Sequence, residues 1–288
     1  MNTSIRHFSS GKQELLHAIL KIVRRAANPE KIILFGLYGL SEEEAGDTAQ
    51  RRLSAAFNSC ELLVVVRRGD RRAAHDLQDA IENRCRRHLP VTVLVHDIDY
   101  VNSRLSEGHY FFATLFREAI LLYDAGAIPL MEPASPDLEK VRRIAQQDFE
   151  RWKKQARAFF ESALFNTGKK EWKIAVFLLH QAAEHMYQAI LLAFNGYKPT
   201  THNLDKLRRY TNRFSIELAL LFPCDNEEEE RLFRLLLQGY VEARYNEKYT
   251  ISEEEAGQLT ERVGRLLSIG ERICGNRFIS LGKMASGI

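Results

Sequence analysis

From Gln13 to Arg25 apolar side chains recur at Leu15, Leu16, Ile19, Leu20 and Val23, the three-and-four step of an amphipathic helix. The period then changes. Lys31 to Phe35 is a short β-rich run that reads as a buried strand, and Glu61-Leu-Leu-Val-Val-Val66 and Val91-Thr-Val-Leu-Val95 repeat the signal, with a polar helix from about Asp70 to Arg87 between them. A charged stretch from Ser41 to Asn58 separates the first two strands. Residues 1–125 therefore read as one α/β domain. Pro129, Pro133 and Pro136 follow Tyr123-Asp-Ala-Gly126 closely enough to mark a linker over 126–136. Beyond it only the helical period remains, over about 137–166, 171–194, 203–212, 226–245 and 252–273. The predicted class is α+β, a small mixed sheet with helices followed by an all-α bundle over 137–275, with residues 276–288 as a C-terminal tail.

Composition narrows the class without naming a function. With 45% hydrophobic and 27% charged residues the chain is an ordered globular protein. The net charge is only +3, and it is evenly spread: 17 basic and 16 acidic residues lie before Ala125, 24 and 22 after it. Nonspecific nucleic-acid binding is not expected from such a balance. Cys60, Cys85, Cys224 and Cys274 are far apart, with no CxxC pair for zinc, and suit reduced thiols in a cytoplasmic protein. The N-terminus lacks the uninterrupted apolar core of a signal peptide, and apolar runs such as Ile174 to Leu179 are too short to cross a bilayer.

In the first domain Leu34-Phe35-Gly36, followed after a gap by Ser59-Cys60-Glu61-Leu-Leu-Val, resembles the minimal nucleotidyltransferases of the DNA polymerase beta superfamily. There the pattern is Phe-Gly-Ser and then Ser-Asp-x-Asp-Leu-Leu-Val. The two Asp, at i and i+2 on one strand face, bind a metal pair that a third carboxylate on the neighbouring strand completes. The resemblance implies a nucleotide site near Gly36 and Ser59, with Mg²⁺ as cofactor only if the site is active. This chain departs from the pattern: Leu37 replaces the Ser, Ser59 the first Asp and Glu61 the second, and the third carboxylate falls near Thr92. One acid is a poor cage for Mg²⁺. Asp97 and Asp99 keep an i, i+2 spacing and stand as an alternative metal pair or as helix caps. The segment from Glu107 through Tyr123-Asp124 resembles the helix and strand that close such domains.

In the second domain Phe160-Glu-Ser-Ala163, His180-Gln-Ala-Ala-Glu184, Thr201-His202-Asn-Leu and Glu242-Ala-Arg244-Tyr-Asn246 occur in the order found in HEPN domains, helical bundles often fused to minimal nucleotidyltransferases and commonly paired as homodimers. Ribonuclease members use an Arg followed four to six residues later by His, for phosphate binding and proton transfer. Here Arg244 is followed by Tyr245 to Ser252 with no His, and a Tyr is a poor base near neutrality. What remains is a polar stripe, Gln181, Glu184 and Gln188, with His180 and His185 beside it. It can line a pocket, or form a solvated or helix-packing face. His202 reads as a helix-entry residue packed in the bundle or a ligand contact, and Arg244 as an intradomain ion-pair partner or a phosphate ligand; Asn246 and Tyr249 complete the nucleotide-binding candidates.

The expected function is a non-catalytic nucleotide-binding or protein-interaction protein, a degenerate nucleotidyltransferase-like domain fused to a HEPN bundle and paired as a homodimer. Two alternatives stay open: an active nucleotidyltransferase using Glu61 with Asp97 or Asp99, and a HEPN-type ribonuclease of a toxin-antitoxin-like system centred on Arg244 and Glu184.

Overall fold

The computed structural model describes residues 1–38 and 59–286, which divide into two compact units, 1–38 with 59–137 and 138–286. The charged stretch from Ser41 to Asn58 lies outside the described residues.

The first unit runs α1 (Ser10–Ala27), β1 (Lys31–Tyr38), β2 (Ser59–Val66), α2 (Ala74–Cys85), β3 (Val91–Asp97), α3 (Ile98–Ser106), α4 (Tyr110–Glu118) and β4 (Ile120–Asp124). Its sheet has the order β3-β2-β1-β4. β1 is antiparallel to both β2 and β4, while β2 and β3 are parallel and joined through α2, the crossover that parallel neighbours require. Period-two alternation sorts β2 between two covered faces. Cys60, Leu62, Val64 and Val66 pack with Leu16, Ile19 and Val23 of α1 and Leu77, Ile81 and Cys85 of α2. Leu63 and Val65 point the other way and are equally buried, which is why β2 reads as an unbroken apolar run. On β3, His96 stacks on Tyr100 of α3, with ring centroids 4.6 Å apart, and meets Phe112 of α4 edge-on at 5.8 Å. Burial pushes the His96 imidazole down to about 4, against the opposing pull of Asp97, so the ring packs as a neutral group.

The stretch expected as a linker is pinned to this unit. Buried Glu30 accepts the N–H groups of Ala127 and Ile128 through Oε1, at 3.0 and 2.9 Å. Asn102 brackets the next residues, donating to the Pro129 carbonyl and accepting from Met131 N–H. Ala134 N–H then donates to the Leu105 carbonyl.

The second unit is helical: α5 (Leu138–Gly168), α6 (Trp172–Asn195), α7 (Leu204–Asn212), α8 (Ile216–Ala219), α9 (Glu227–Gln238), α10 (Glu242–Tyr245) and α11 (Glu253–Ala285). α5, α6 and α11 pack on one another. α5 buries Phe149, Ala156 and Ala163 at seven-residue steps, so one face of it turns inwards, with small side chains at Ala156 and Ala163 and an aromatic ring at Phe149. Asn226 caps α9, and a capping box of Ser252 with Glu255 opens α11, so the Glu227 to Glu230 and Glu253 to Glu255 runs supply the acidic first turns that helix dipoles favour.

Two expected boundaries differ. The helix expected over 226–245 is two helices, because the chain turns after Gly239, where an added Cβ would lie 2.9 Å from Val176 Cγ1 of α6. The residues expected as a tail from 276 onwards continue α11 to Ala285. Cys274, Phe278 and Leu281 form one buried face there, with Phe278 edge-on to Phe149 at 5.7 Å.

Candidate functional site

In the first unit the structure brings Gly36, Ser59 and Glu61 together on the adjacent strands β1 and β2 and sets Asp97 and Asp99 apart from them, beyond the other end of β2. Gly36 is not at a turn but inside β1, paired with Glu61 after a bulge that lifts Phe35 out of register; Leu37 and Tyr38 continue the ladder opposite Cys60 and Ser59. Glu61 is buried beside Thr92, the position where the sequence pattern would require the third carboxylate. Asp97 caps α3, accepting the Tyr100 N–H at 2.8 Å. Asp99 is gripped by Arg68 through two 2.7 Å bonds, which hold its carboxyl below the usual range. The i, i+2 pair thus serves one helix start and one surface ion pair. Among the described residues no group of three His, Cys, Asp or Glu could hold a metal ion.

The polar groups of the second unit do converge. α6 is apolar nearly all round, and His180, Glu184 and Gln188, spaced by four residues each, form a buried polar line along it. His180 Nδ1 lies 2.9 Å from the Leu236 carbonyl of α9, which can only accept. The proton of the neutral ring therefore sits on Nδ1, and Nε2 carries a lone pair. Burial pushes this imidazole below its ordinary pKa, outweighing the carbonyl and the Glu184 carboxylate. Glu184 Oε1 receives Gln188 Nε2 at 3.2 Å and His202 Nδ1 at 2.8 Å. His202 enters α7 just before the cap Asn203 as expected, but it is not packed in the bundle: its side chain is 75% exposed, held at the surface by Glu184.

Three acceptors in this line have no partner among the described residues: His180 Nε2, Glu184 Oε2 and Gln188 Oε1. His180 Nε2 and Glu184 Oε2 stand 3.8 Å apart. Unpaired buried acceptors cost about 1–3 kcal/mol each, so such a row favours a donor placed between them.

An aromatic path leads from this line to the surface. The His180 ring stacks on Tyr240, centroids 5.3 Å apart, and the Arg244 guanidinium lies 4.8 Å from the other ring partner's centroid, that of Tyr240, 5.2 Å from Phe177 and 5.0 Å from Tyr245. Arg244 Nε donates to the Tyr240 carbonyl at 2.8 Å, which fixes the plane of the fork. The guanidinium makes no ion pair with a described carboxylate. Lys173 holds the following loop through the Asn246 and Glu247 carbonyls.

Other candidates lie apart from this line or serve its frame. Asn246 Nδ2 donates to Glu242 at 2.6 Å. Tyr249 is buried and donates its hydroxyl to the Leu235 carbonyl at 2.7 Å. His185 turns towards α5, between Trp152 and Phe159, while its Nδ1 lies 2.8 Å from the Gln181 carbonyl. Gln181 Nε2 is buried without a partner among the described residues. Sequence reasoning missed Phe177 and Tyr240. Their signal was spacing, since Phe177 precedes His180 by three positions and Tyr240 precedes Arg244 by four.

The second unit is thus a helical bundle with a buried polar line on α6 and, on the short helix α10, an exposed Arg244 joined to that line through Tyr240. Residues 149–273 match the HEPN domain, so the chain carries a HEPN domain within its second unit. No curated protein matches the chain.

Proposed function

We propose that this protein binds a nucleotide through its HEPN domain without turning it over. Arg244 would take a phosphate, its planar fork held by three aromatic rings, and the His180, Glu184 and Gln188 acceptors would receive N–H or O–H donors of the base or ribose. The observation that carries the reading is the row of unpaired buried acceptors beside an Arg with no carboxylate partner among the described residues. Gly36 and Ser59 are nucleotide contacts only in a reading that makes the first unit a degenerate nucleotidyltransferase, a scaffold with Glu61 as its one remaining acid. Homodimerisation through the HEPN domain belongs to the same proposal, supported by the exposed apolar side chains Phe165, Ile174 and Val241. Light scattering of the full chain tests it, and a monomeric mass at micromolar concentration contradicts it.

A second reading, metal-free cleavage of RNA, is favoured by one feature. His202 is oriented by a buried carboxylate at Nδ1 and is largely exposed, the arrangement of a base with its positioning group. Incubation with single-stranded RNA in EDTA separates the readings. Intact RNA is expected, and cleavage that His202→Ala abolishes would replace binding with catalysis.

A further inference from the structure

Lys21, Arg24 and Arg25 stand at i, i+3 and i+4 near the end of α1 and share one exposed face. With Asn28, Pro29 and Tyr123 they line an open cleft of about 330 Å³. The lining has three cations and no acid, and none of the three cations forms an ion pair with a described carboxylate. Their number equals the net formal charge of the whole chain, +3. A balance taken over each half of the sequence hides this concentration.

Cations near a helix C-terminus often answer the carbonyls left open there. In α1 that task is taken by another residue. Arg72 donates to the Ala26 and Ala27 carbonyls at 2.8 and 2.6 Å, and its own charge is met by Asp70 at 2.6 Å. Asn28, in the left-handed conformation at φ 46°, closes the helix through its backbone N–H to the Arg24 carbonyl. Lys21, Arg24 and Arg25 are therefore left to face solvent around the cleft. Arg24 is held over the Tyr123 ring, 4.5 Å from its centroid, which restrains a side chain that would otherwise sweep a wide volume.

We infer that this cleft is a binding site for an oligophosphate, two or more adjacent phosphate groups held by Lys21, Arg24 and Arg25. Arg24 offers a guanidinium fork restrained by the Tyr123 ring, while Lys21 and Arg25 add charge beside it, a set suited to several oxygens at once rather than to one carboxylate. The phosphates can belong to a free oligophosphate or to the backbone of a single-stranded nucleic acid. The site lies in the first unit and does not depend on the nucleotide reading of the HEPN domain.

Fluorescence or calorimetric titration of the full chain with tripolyphosphate, and separately with a short single-stranded oligoribonucleotide, tests the inference at low salt. The triple variant Lys21→Gln, Arg24→Gln, Arg25→Gln is expected to weaken binding by about tenfold or more, since charge-assisted bonds to phosphate are lost. Arg24→Lys with Arg25→Lys retains most of it, and repeating the series in the Arg244→Ala background removes any contribution of the phosphate contact proposed in the HEPN domain, so that the loss in the triple variant is expected to persist there. Binding of tripolyphosphate alone identifies a free ligand; tighter binding of the oligoribonucleotide identifies a backbone. Absence of binding by either probe, or undiminished binding by a triple variant whose circular dichroism and melting match the parent, overturns the site.

Discussion

His202 Nδ1 lies 2.8 Å from Glu184 Oε1, so an imidazole that is 75% exposed is anchored by a carboxylate that is 4% exposed. The same oxygen receives Gln188, and the other oxygen faces His180 Nε2. One acid thus organises groups from α6 and from the entry to α7. Glu184→Ala leaves Gln188 Nε2 without its carboxylate and frees His202, and a loss of about 1–3 kcal/mol is expected. Urea unfolding checks it; an unchanged midpoint would mean that Glu184 does not hold this line together.

Stability should fall on mild acidification. His96 is pushed down to about 4 by burial, and His180 is pushed down for the same reason. Between the ordinary imidazole value, about 6.5, and the lowered one, the unfolded chain takes up a proton that the folded chain refuses. Stability is therefore fully present above about pH 6.5 and is lost as pH drops towards 4. His96→Phe keeps a ring against Tyr100 and Phe112 and should flatten the dependence between pH 7 and pH 5, as read from urea midpoints.

Mg²⁺ or Mn²⁺ should not raise the melting temperature. Asp97 is engaged as a cap and Asp99 as a partner of Arg68, which separates the alternative metal pair. A concentration-dependent rise in melting temperature that Glu61→Gln removes would restore the metal-dependent transferase reading.

Gly239→Ala tests the turn that presents Arg244. The new methyl group would meet Val176 Cγ1 at 2.9 Å and the Val176 carbonyl oxygen at 3.3 Å, and the backbone cannot step aside as a flexible side chain would. A loss of about 1–3 kcal/mol is expected from thermal melts. Gly257→Ala, with open space around its Cβ, serves as the control.

Much of the fold is legible in the residue pattern, because strand alternation and helical spacing survive in the sequence. Lys31 to Phe35 announces β1, but not its continuation through Gly36 to Tyr38. A Gly after an apolar run reads as a turn, and the bulge at Phe35 that keeps the strand paired depends on β2. Gly275 and Gly282 similarly obscure the length of α11, which the packing of Phe278 and Leu281 maintains. In the candidate site, spacing places Glu184 with Gln188, and His202 at a helix entry. Spacing cannot say that the stripe faces inwards, since α6 is apolar on almost every side. Tyr240 joins His180 to Arg244 only because the chain turns at Gly239, a tertiary event without a local sign.

Nucleotide binding at Arg244 is tested most directly by isothermal titration of the full chain and its Arg244→Ala variant with nucleoside mono- and triphosphates. Saturable binding that weakens about tenfold or more in the variant is the predicted result, the loss of one bidentate charge-assisted contact. A parent protein that gives no binding heat with any of these nucleotides, or a variant that binds as tightly as the parent, contradicts a nucleotide site in the HEPN domain.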